Sequence, residues 1–590
     1  MTGIDLFRRE LARVNPRAPG RRWIFVPYDQ LSDRIGPLGR LTPSEAAIVL
    51  VESPWKASLR PYHRQKLGLV LANLRHFALE QARRGVHVEH VVSTGTYADA
   101  LERVARQRGP LALAEPAERE LRIDLAPLVA SGLVRCEAHD GWLTAAGQFE
   151  RACGAEPPFR MDAFYRLVRR ESGVLMERDR PLGGRFSFDG ENRRRWDGQP
   201  AAPEPPRFEP DAITREVGEL VERRFARHPG RLDLTTLPAT ASDAERMLAW
   251  ARTECLEHFG PFEDALSTRS RGLFHTRLAP LVNLHRVLPR DLLDMALTSE
   301  APLASREGFV RQVLGWREFV RHVHRATDGF RSNLGRAVLR ADRPGDGGWS
   351  RWSGNPWHTA RPHDGSPVHP GARSAVRATS RAGTRSERAS AEVPAIDAAL
   401  PNAFGARRSL PAAYWGQPSG LNCLDTVVRD VWEEGWSHHI TRLMVLANIA
   451  TLLDVEPREL TDWFWCAYVD AYDWVVEPNV LGMGTFAAGD VLTTKPYVAG
   501  AAYVDRMGDY CAGCRFEPGQ DCPLTPLYWA FLARHARQLA GLPRLRLPLR
   551  ALARRPLDRR RQDARVFEEW SRRLADGSAA PRDPSAEPAH

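Results

Sequence analysis

Cys511, Cys514 and Cys522 stand in a C-x2-C-x7-C pattern, and Cys423 opens an apolar segment upstream. Four soft thiolates brought together suit either a tetrahedral zinc ion or a [4Fe–4S] cluster, and spacing alone does not separate the two. Cys522 is followed by Pro523, a step met in cluster-binding runs. Cys136, Cys153, Cys255 and Cys466 read as isolated core residues. His438 and His439 are adjacent, just ahead of the apolar run Leu443-Met444-Val445-Leu446. Imidazole titrates near neutrality, so a histidine facing a pocket there suits a general acid. On a helix, neighbouring side chains point about 100° apart, so at most one of the pair is expected to face a given pocket.

Two further segments carry chemistry. Phe274-His275-Thr276-Arg277-Leu278-Ala279-Pro280 places a hydroxyl and an arginine near a helix start, a combination suited to pyrophosphate. Between Tyr468 and Lys495, the residues Asp470, Tyr472, Trp474, Glu477 and Asn479 alternate with apolar residues and glycines, like the rim of a pocket, and Lys495-Pro496-Tyr497 follows. The chain has 17 tryptophans. Most tryptophans pack cores, but Trp415, Trp463 and Trp465 lie in the same half as these segments, and a chain of tryptophans close to a redox cofactor suits an electron relay.

Elements must hold these groups. From Trp23 to about Glu115, short β-branched runs alternate with amphipathic helices: Trp23 to Val26, Ala46 to Val51, Val86 to Val92 and Leu111 to Glu115, with helices from Tyr62 to Arg84 and Tyr97 to Gly109. That alternation predicts an α/β domain, a doubly wound parallel sheet over residues 1–137, whose ligand crevice lies at the carboxyl ends of the strands. Asp29, Gln30 and Glu52 sit at such ends. A Gly- and Pro-rich connector is expected over 138–211. From Ala212 the apolar spacing is helical, so the C-terminal half reads as an all-helical domain, in two parts at 212–326 and 409–574. Between them, 327–408 is rich in Arg, Gly, Pro and Ser and poor in large apolar residues, so a disordered insertion is expected, as is a disordered tail at 575–590.

At 590 residues the chain has room for several domain-sized units, and 43% apolar with 26% charged residues is the profile of a folded globular protein. No apolar run is long enough to cross a bilayer, and the N-terminus lacks the apolar core of a secretory signal, so the cytoplasm is the expected compartment. The formal charge is +10, and Lys56, Lys66 and Lys495 are the only lysines. An arginine excess suits phosphate recognition and equally reflects a GC-rich genome, so charge permits nucleic acid without requiring it.

Taken together the segments resemble the cryptochrome/photolyase family, most closely its iron–sulfur bacterial branch of photolyase-related proteins that repair (6-4) photoproducts. The matching motifs run collinearly: His63-Arg64-Gln65-Lys66-Leu67, Asn73-Leu74-Arg75-His76-Phe77, Pro181-Leu182-Gly183-Gly184-Arg185-Phe186, Phe274 to Leu278, Gln312-Val313-Leu314-Gly315-Trp316-Arg317-Glu318, His438-His439, Tyr468-Val469-Asp470, Pro478-Asn479, Lys495-Pro496-Tyr497 and the four cysteines. The resemblance implies FAD in the helical domain near Thr276, Arg277, Leu278, Asp470, Glu477 and Asn479. It implies a [4Fe–4S] cluster on Cys423, Cys511, Cys514 and Cys522, and a 6,7-dimethyl-8-ribityllumazine antenna near Asp29, Gln30 and Glu52. It further implies light-driven repair of UV-damaged DNA by a monomer, with His439, His438, Tyr497 and Gln312 as catalytic residues, a proton donated by His439, and electron feeding through Trp415 and Trp463. A cryptochrome-like blue-light photoreceptor without repair is the alternative reading, and an iron–sulfur nucleic-acid-binding protein the third. The chain departs from the family pattern at Tyr28, where glycine is usual, at Thr441 for glutamine, at Phe464 for tyrosine and at Ala279 for serine.

Overall fold

A computed structural model describes residues 6–17, 20–332, 338–352 and 397–575. Five strands, β1 (Arg22–Phe25), β2 (Ala46–Glu52), β3 (His87–Val92), β4 (Leu111–Ala114) and β5 (Val134–Glu137), pair in the order β3-β2-β1-β4-β5. All pairings are parallel, with Ile24 beside Ile48 on one side and Ala112 on the other. Every residue of β2 is buried, as a near-continuous apolar strand covered on both faces should be. The order reverses between β1 and β4, which puts the topological switch, the usual ligand crevice, at their carboxyl ends.

The α/β expectation holds, with additions. A helix at Leu6–Val14 precedes β1, and β5 follows a helix at Arg119–Ala130 that contains Pro127. Neither the interrupted helix nor the short, half-exposed β5 offers the periodicity a sequence reading relies on. The connector is not simply loop: Ala146–Cys153 and Met161–Ser172 are helices. They bury Phe149, Phe164 and Tyr165, with Phe149 and Phe164 each packing against Phe319 and His322. Cys136 is exposed, which removes it from the expected core set.

The C-terminal half is helical as expected, but its long apolar stretches are broken. Cys423 to Ala450 divides at Gly435, whose φ of 66° ends the helix Asn422–Glu434 in the left-handed region that glycine adopts most easily. Leu273 to Leu284 is helical only over Ala279–Asn283. Four stretches widen into π-helical turns: Ala251–Cys255, Arg311–Arg317, Arg442–Ala447 and Glu477–Gly484. The described flanks of the 327–408 stretch are ordered, which corrects the expected extent of disorder. Arg340–Ala341 pairs with Ala398–Ala399, Arg331 binds Asp397, and Trp349 packs on Trp415. Residues 333–337, 353–396 and 576–590 lie outside the described residues. No helix among the described residues is long and apolar enough to cross a membrane.

Candidate functional site

Both adjacent histidines reach one place, contrary to the helical-angle expectation. His438 has extended backbone (φ −75°, ψ 165°) and only His439 begins the following helical turn, so the 100° rule does not relate them. With His275, from the loop ahead of Ala279–Asn283, they bring ring nitrogens within 4.8 Å of one another. The His275 and His438 rings are stacked, centroids 4.6 Å apart at 7°, and His439 meets His275 edge-on at 5.3 Å. Burial first, then the neighbouring imidazoles, holds His275 and His438 well below the usual histidine range. His439 differs: its side chain is 45% exposed and its Nε2 lies 3.7 Å from Asp264.

The residue beside Asp264 extends the site. Glu263 is buried and accepts from Gln312 at 2.6 Å, from Asn192 at 2.9 Å and from Arg311 at 3.4 Å. Arg193, 3.6 Å from Asp264, also lies within electrostatic reach of Tyr497 and Lys495. Of the expected catalytic residues, His438, His439 and Gln312 thus gather around Glu263 and Asp264, while Tyr497 is linked to them only through Arg193. Glu263, Asp264 and His275 escaped the sequence reading, because acidic residues in a loop and a histidine in a pyrophosphate-like motif carry no periodic signal.

The expected cofactor residues divide into two groups. Arg277 takes a left-handed backbone (φ 52°), donates to Glu434 at 2.7 Å and lies 4.2 Å over the Trp436 ring. Asn283 donates to the Asp470 carbonyl at 2.9 Å, tying the Thr276 to Leu278 segment to Asp470. The Asp470 carboxylate in turn accepts both guanidinium arms of Arg442, at 3.0 and 2.9 Å, and Arg442 stacks 4.0 Å over Tyr468. Glu477 belongs elsewhere. Burial would raise its pKa, yet Arg458 at 2.6 Å, His324 at 2.8 Å and Arg331 at 3.5 Å hold it below the carboxylate range, so its oxygens are spent inside a buried ion cluster. Asn479 donates to the carbonyl of Val475 at 2.8 Å. Gln312, Arg442 and Asn479 all stand on π-helical turns, which are frequent where side chains are aimed at a function.

Comparison with known proteins decides the family. A family model described as deoxyribodipyrimidine photo-lyase-related protein matches residues 24–236. A protein of Agrobacterium fabrum named as a (6-4) photolyase is 30% identical over 552 residues, covering 90% of this chain and 95% of that protein. The chain belongs to the photolyase-related family. A crystal structure of a bacterial class III photolyase from Agrobacterium tumefaciens aligns over 95% of this chain and 97% of its own, with TM-score 0.47 and 13% identity. A Synechocystis cryptochrome aligns over 94% and 99%, with TM-score 0.45 and 12% identity.

Membership of this family implies FAD, and the site fits such a ligand. Nε2 of His275, Nδ1 of His438 and Nε of Arg277 are buried without a hydrogen-bond partner around Thr276. Buried polar atoms normally have partners, so three orphans at one wall suit a bound molecule rich in acceptor and donor groups. Trp415 and Trp463 are fully buried and joined by Trp432, which the sequence reading passed over: its ring stacks on Trp415 at 4.9 Å and meets Trp463 edge-on at 5.9 Å. Trp463 continues to Tyr468 at 6.1 Å, the ring under Arg442, so the aromatic chain ends against the Arg442–Asp470 pair.

The four expected cluster cysteines lie close enough to act on one another electrostatically, Cys423 feeling Cys522, Cys514 and Cys511 in that order. No three of their sulfurs come within 4.8 Å of one another among the described residues. Between the α/β sheet and the helical half, the photolyase-related chain has a cavity of about 540 Å³ beside the ends of β2 and β3, lined by Tyr28, Glu52, Lys66, His90, Trp465 and Tyr472 among others. Glu52 faces it while held by Arg75 at 2.6 Å. At the switch point itself Tyr28 bonds Glu118 and the Gln30 amide donates to the Ala114 carbonyl at 3.0 Å, closing the gap between β1 and β4. Asp29 is buried nearby, its pKa pushed up to about 8 by burial and then by Glu118.

Proposed function

We propose that this protein is a light-driven, FAD-dependent DNA photolyase acting on (6-4) photoproducts. The observation that carries the reading is the 30% identity to a (6-4) photolyase along 90% of the chain. The histidine trio supports it. His439, exposed beside Asp264, is proposed to hand a proton to the damaged base, with the stacked neutral pair His275 and His438 behind it. Gln312 is fixed by donating to Glu263, the neighbour of Asp264. A lesion base flipped from the duplex reaches such a recess more easily than a paired one, because damaged bases pair poorly. When bound, FAD supplies the light-driven electron. Thr276, Arg277, Leu278 and the Arg442–Asp470 pair are the residues proposed to hold it. Asn479 is proposed to complete that site, whereas Glu477 supports it from the ion cluster rather than touching the cofactor.

The remaining assignments extend the same reading. Cys423, Cys511, Cys514 and Cys522 are proposed to carry a [4Fe–4S] cluster. Trp415 and Trp463 are proposed to feed electrons to the flavin site. The 540 Å³ cavity, rather than the closed switch point, is proposed to take a ribityllumazine, with Glu52 as its acidic contact and Asp29 and Gln30 behind the wall.

The test is illumination of the reduced, FAD-bound protein with an oligonucleotide carrying a (6-4) product, with a dark control and chromatography of the products. Restored pyrimidines in the light alone are expected. A protein that photoreduces FAD yet repairs nothing would reject the reading.

A further inference from the structure

The C-terminal helix Arg546–Arg554 reads RLPLRALAR. Arg546, Arg550 and Arg554 are spaced four residues apart, so they fall near one face and advance about 6 Å along the axis per step. Leu545 and Leu552, on the other side, are buried in the core that contains the cysteine site. All three arginines are exposed, and among the described residues they make no hydrogen bond or ion pair. The neighbouring arginines are different: Arg555 holds Asp563 at 2.6 Å, and Arg560 donates to the carbonyls of Leu552 and Ala553. The helix hairpin therefore uses some of its guanidinium groups for its own structure and leaves a row of three turned outward.

That row begins beside a second group of charges linked to the candidate site. Arg544, two residues before Arg546, lies within electrostatic reach of Lys495 and of Tyr497, as does Arg193, which stands 3.6 Å from Asp264. Arg193, Lys495 and Arg544 are thus a group of cations next to Asp264, and Arg546, Arg550 and Arg554 continue the positive charge along the helix. The helix covers about 12 Å from Arg546 to Arg554, a length over which duplex DNA presents roughly seven phosphates. Guanidinium groups suit phosphate oxygens by their planar fork of donors.

We propose that Arg546, Arg550 and Arg554 form a rail for the sugar-phosphate backbone of the duplex flanking the lesion, separate from the pocket that receives the damaged base. The inference rests on the reading of the protein as a photolyase, which supplies duplex DNA as the partner. Contacts of this kind fix position and add affinity without reading sequence or lesion.

The experiment compares the wild-type, FAD-bound protein with a triple variant, Arg546→Gln, Arg550→Gln and Arg554→Gln. Its control carries the same loss of charge at exposed arginines elsewhere: Arg103→Gln, Arg135→Gln and Arg290→Gln. Fluorescence anisotropy is read with a labelled duplex, with and without a (6-4) product, across a salt series. The rail variant is expected to bind both duplexes on the order of tenfold or more weakly at low salt. Its log–log salt dependence should be shallower by about 3, since each phosphate contact contributes about 0.9 to the slope. Light-driven turnover at saturating DNA should be unchanged. An unchanged slope, an equal loss in the control, or a loss confined to the lesion-bearing duplex overturns the rail. So does unchanged DNA binding accompanied by lost binding of an acidic polypeptide such as polyglutamate. Absence of light-dependent repair in the wild-type protein strikes the photolyase reading itself, and is scored separately from the salt slope.

Discussion

The imidazole of His438 lies flat on that of His275, 4.6 Å between centroids and 7° from parallel, with neither reactive edge nitrogen, Nδ1 of His438 nor Nε2 of His275, hydrogen-bonded. Two buried imidazoles in face contact resist sharing a positive charge, so the pair stays neutral near pH 7, and the proposed proton donor is the exposed His439.

This arrangement separates shape from chemistry at His275. His275→Phe keeps a ring against His438 and is expected to retain (6-4) turnover within a few-fold. His275→Ala opens a gap behind the site and should lower turnover at least tenfold, because a positioning error costs heavily at a reacting centre. Equal losses in both variants would show that the imidazole nitrogen itself is needed. His439→Ala should abolish repair and leave FAD bound, which absorbance of the purified variant reports directly.

Trp432 is the bridge between Trp415 and Trp463, and it is fixed by donating from Nε1 to the Tyr414 carbonyl at 2.9 Å. Phenylalanine fills most of the same space but is far harder to oxidise. Trp432→Phe is therefore expected to slow flavin photoreduction in the presence of a thiol reductant by at least tenfold, with a stability loss of about 1–3 kcal/mol from the smaller ring. Repair by chemically reduced enzyme should persist. Photoreduction at the wild-type rate would exclude Trp432 from the relay.

Much of the architecture was legible because it is periodic. The buried β2 run Ala46–Glu52 and the long helix Arg64–Arg83 follow from apolar patterning alone. The site was legible only as separate pieces. Nothing in the spacing of His275 and His438 announces that they stack, since the contact depends on an extended residue before a helix and a left-handed Arg277 two residues on. Glu477 was misread for a related reason. Its place among acidic and aromatic residues resembles a pocket rim, whereas its actual partners, His324, Arg331 and Arg458, come from distant elements. The π-helical turns that carry Gln312, Arg442 and Asn479 arise from packing, not from local propensity, so no residue pattern marked them.

The cysteine assignment is tested at Cys514, which is only half-buried and so removable without carving a hole in the core. Cys514→Ser should lose iron and yield of folded protein, because metal binding and folding are coupled at such sites. An iron-replete, stable Cys514→Ser protein would exclude it as a ligand.

The last prediction concerns acid stability and rests on His63. It is completely buried, its Nδ1 accepts from the Gln65 amide at 3.0 Å, and its Nε2 lies 3.1 Å from the Trp432 carbonyl. Those two contacts specify a neutral ring protonated on Nε2. Burial lowers its pKa from 6.5 to about 3. In the unfolded chain the same ring takes up a proton near pH 6.5, so between pH 6.5 and about 3 the unfolded state binds one proton more than the folded one. Stability from this residue is therefore present above pH 6.5 and is lost as pH falls, at about 1.4 kcal/mol per pH unit. His63→Gln removes the titration while keeping an amide able to donate and accept. Urea denaturation at pH 7 and pH 5 is expected to show the variant less stable than wild type at pH 7, with the gap narrowed at pH 5 by about 2 kcal/mol, the cost over the roughly 1.5 pH units below 6.5. A gap of equal size at both pH values would mean that His63 is not held neutral in the folded protein, and that its contact with Trp432 does not fix the base of the tryptophan chain as the geometry requires.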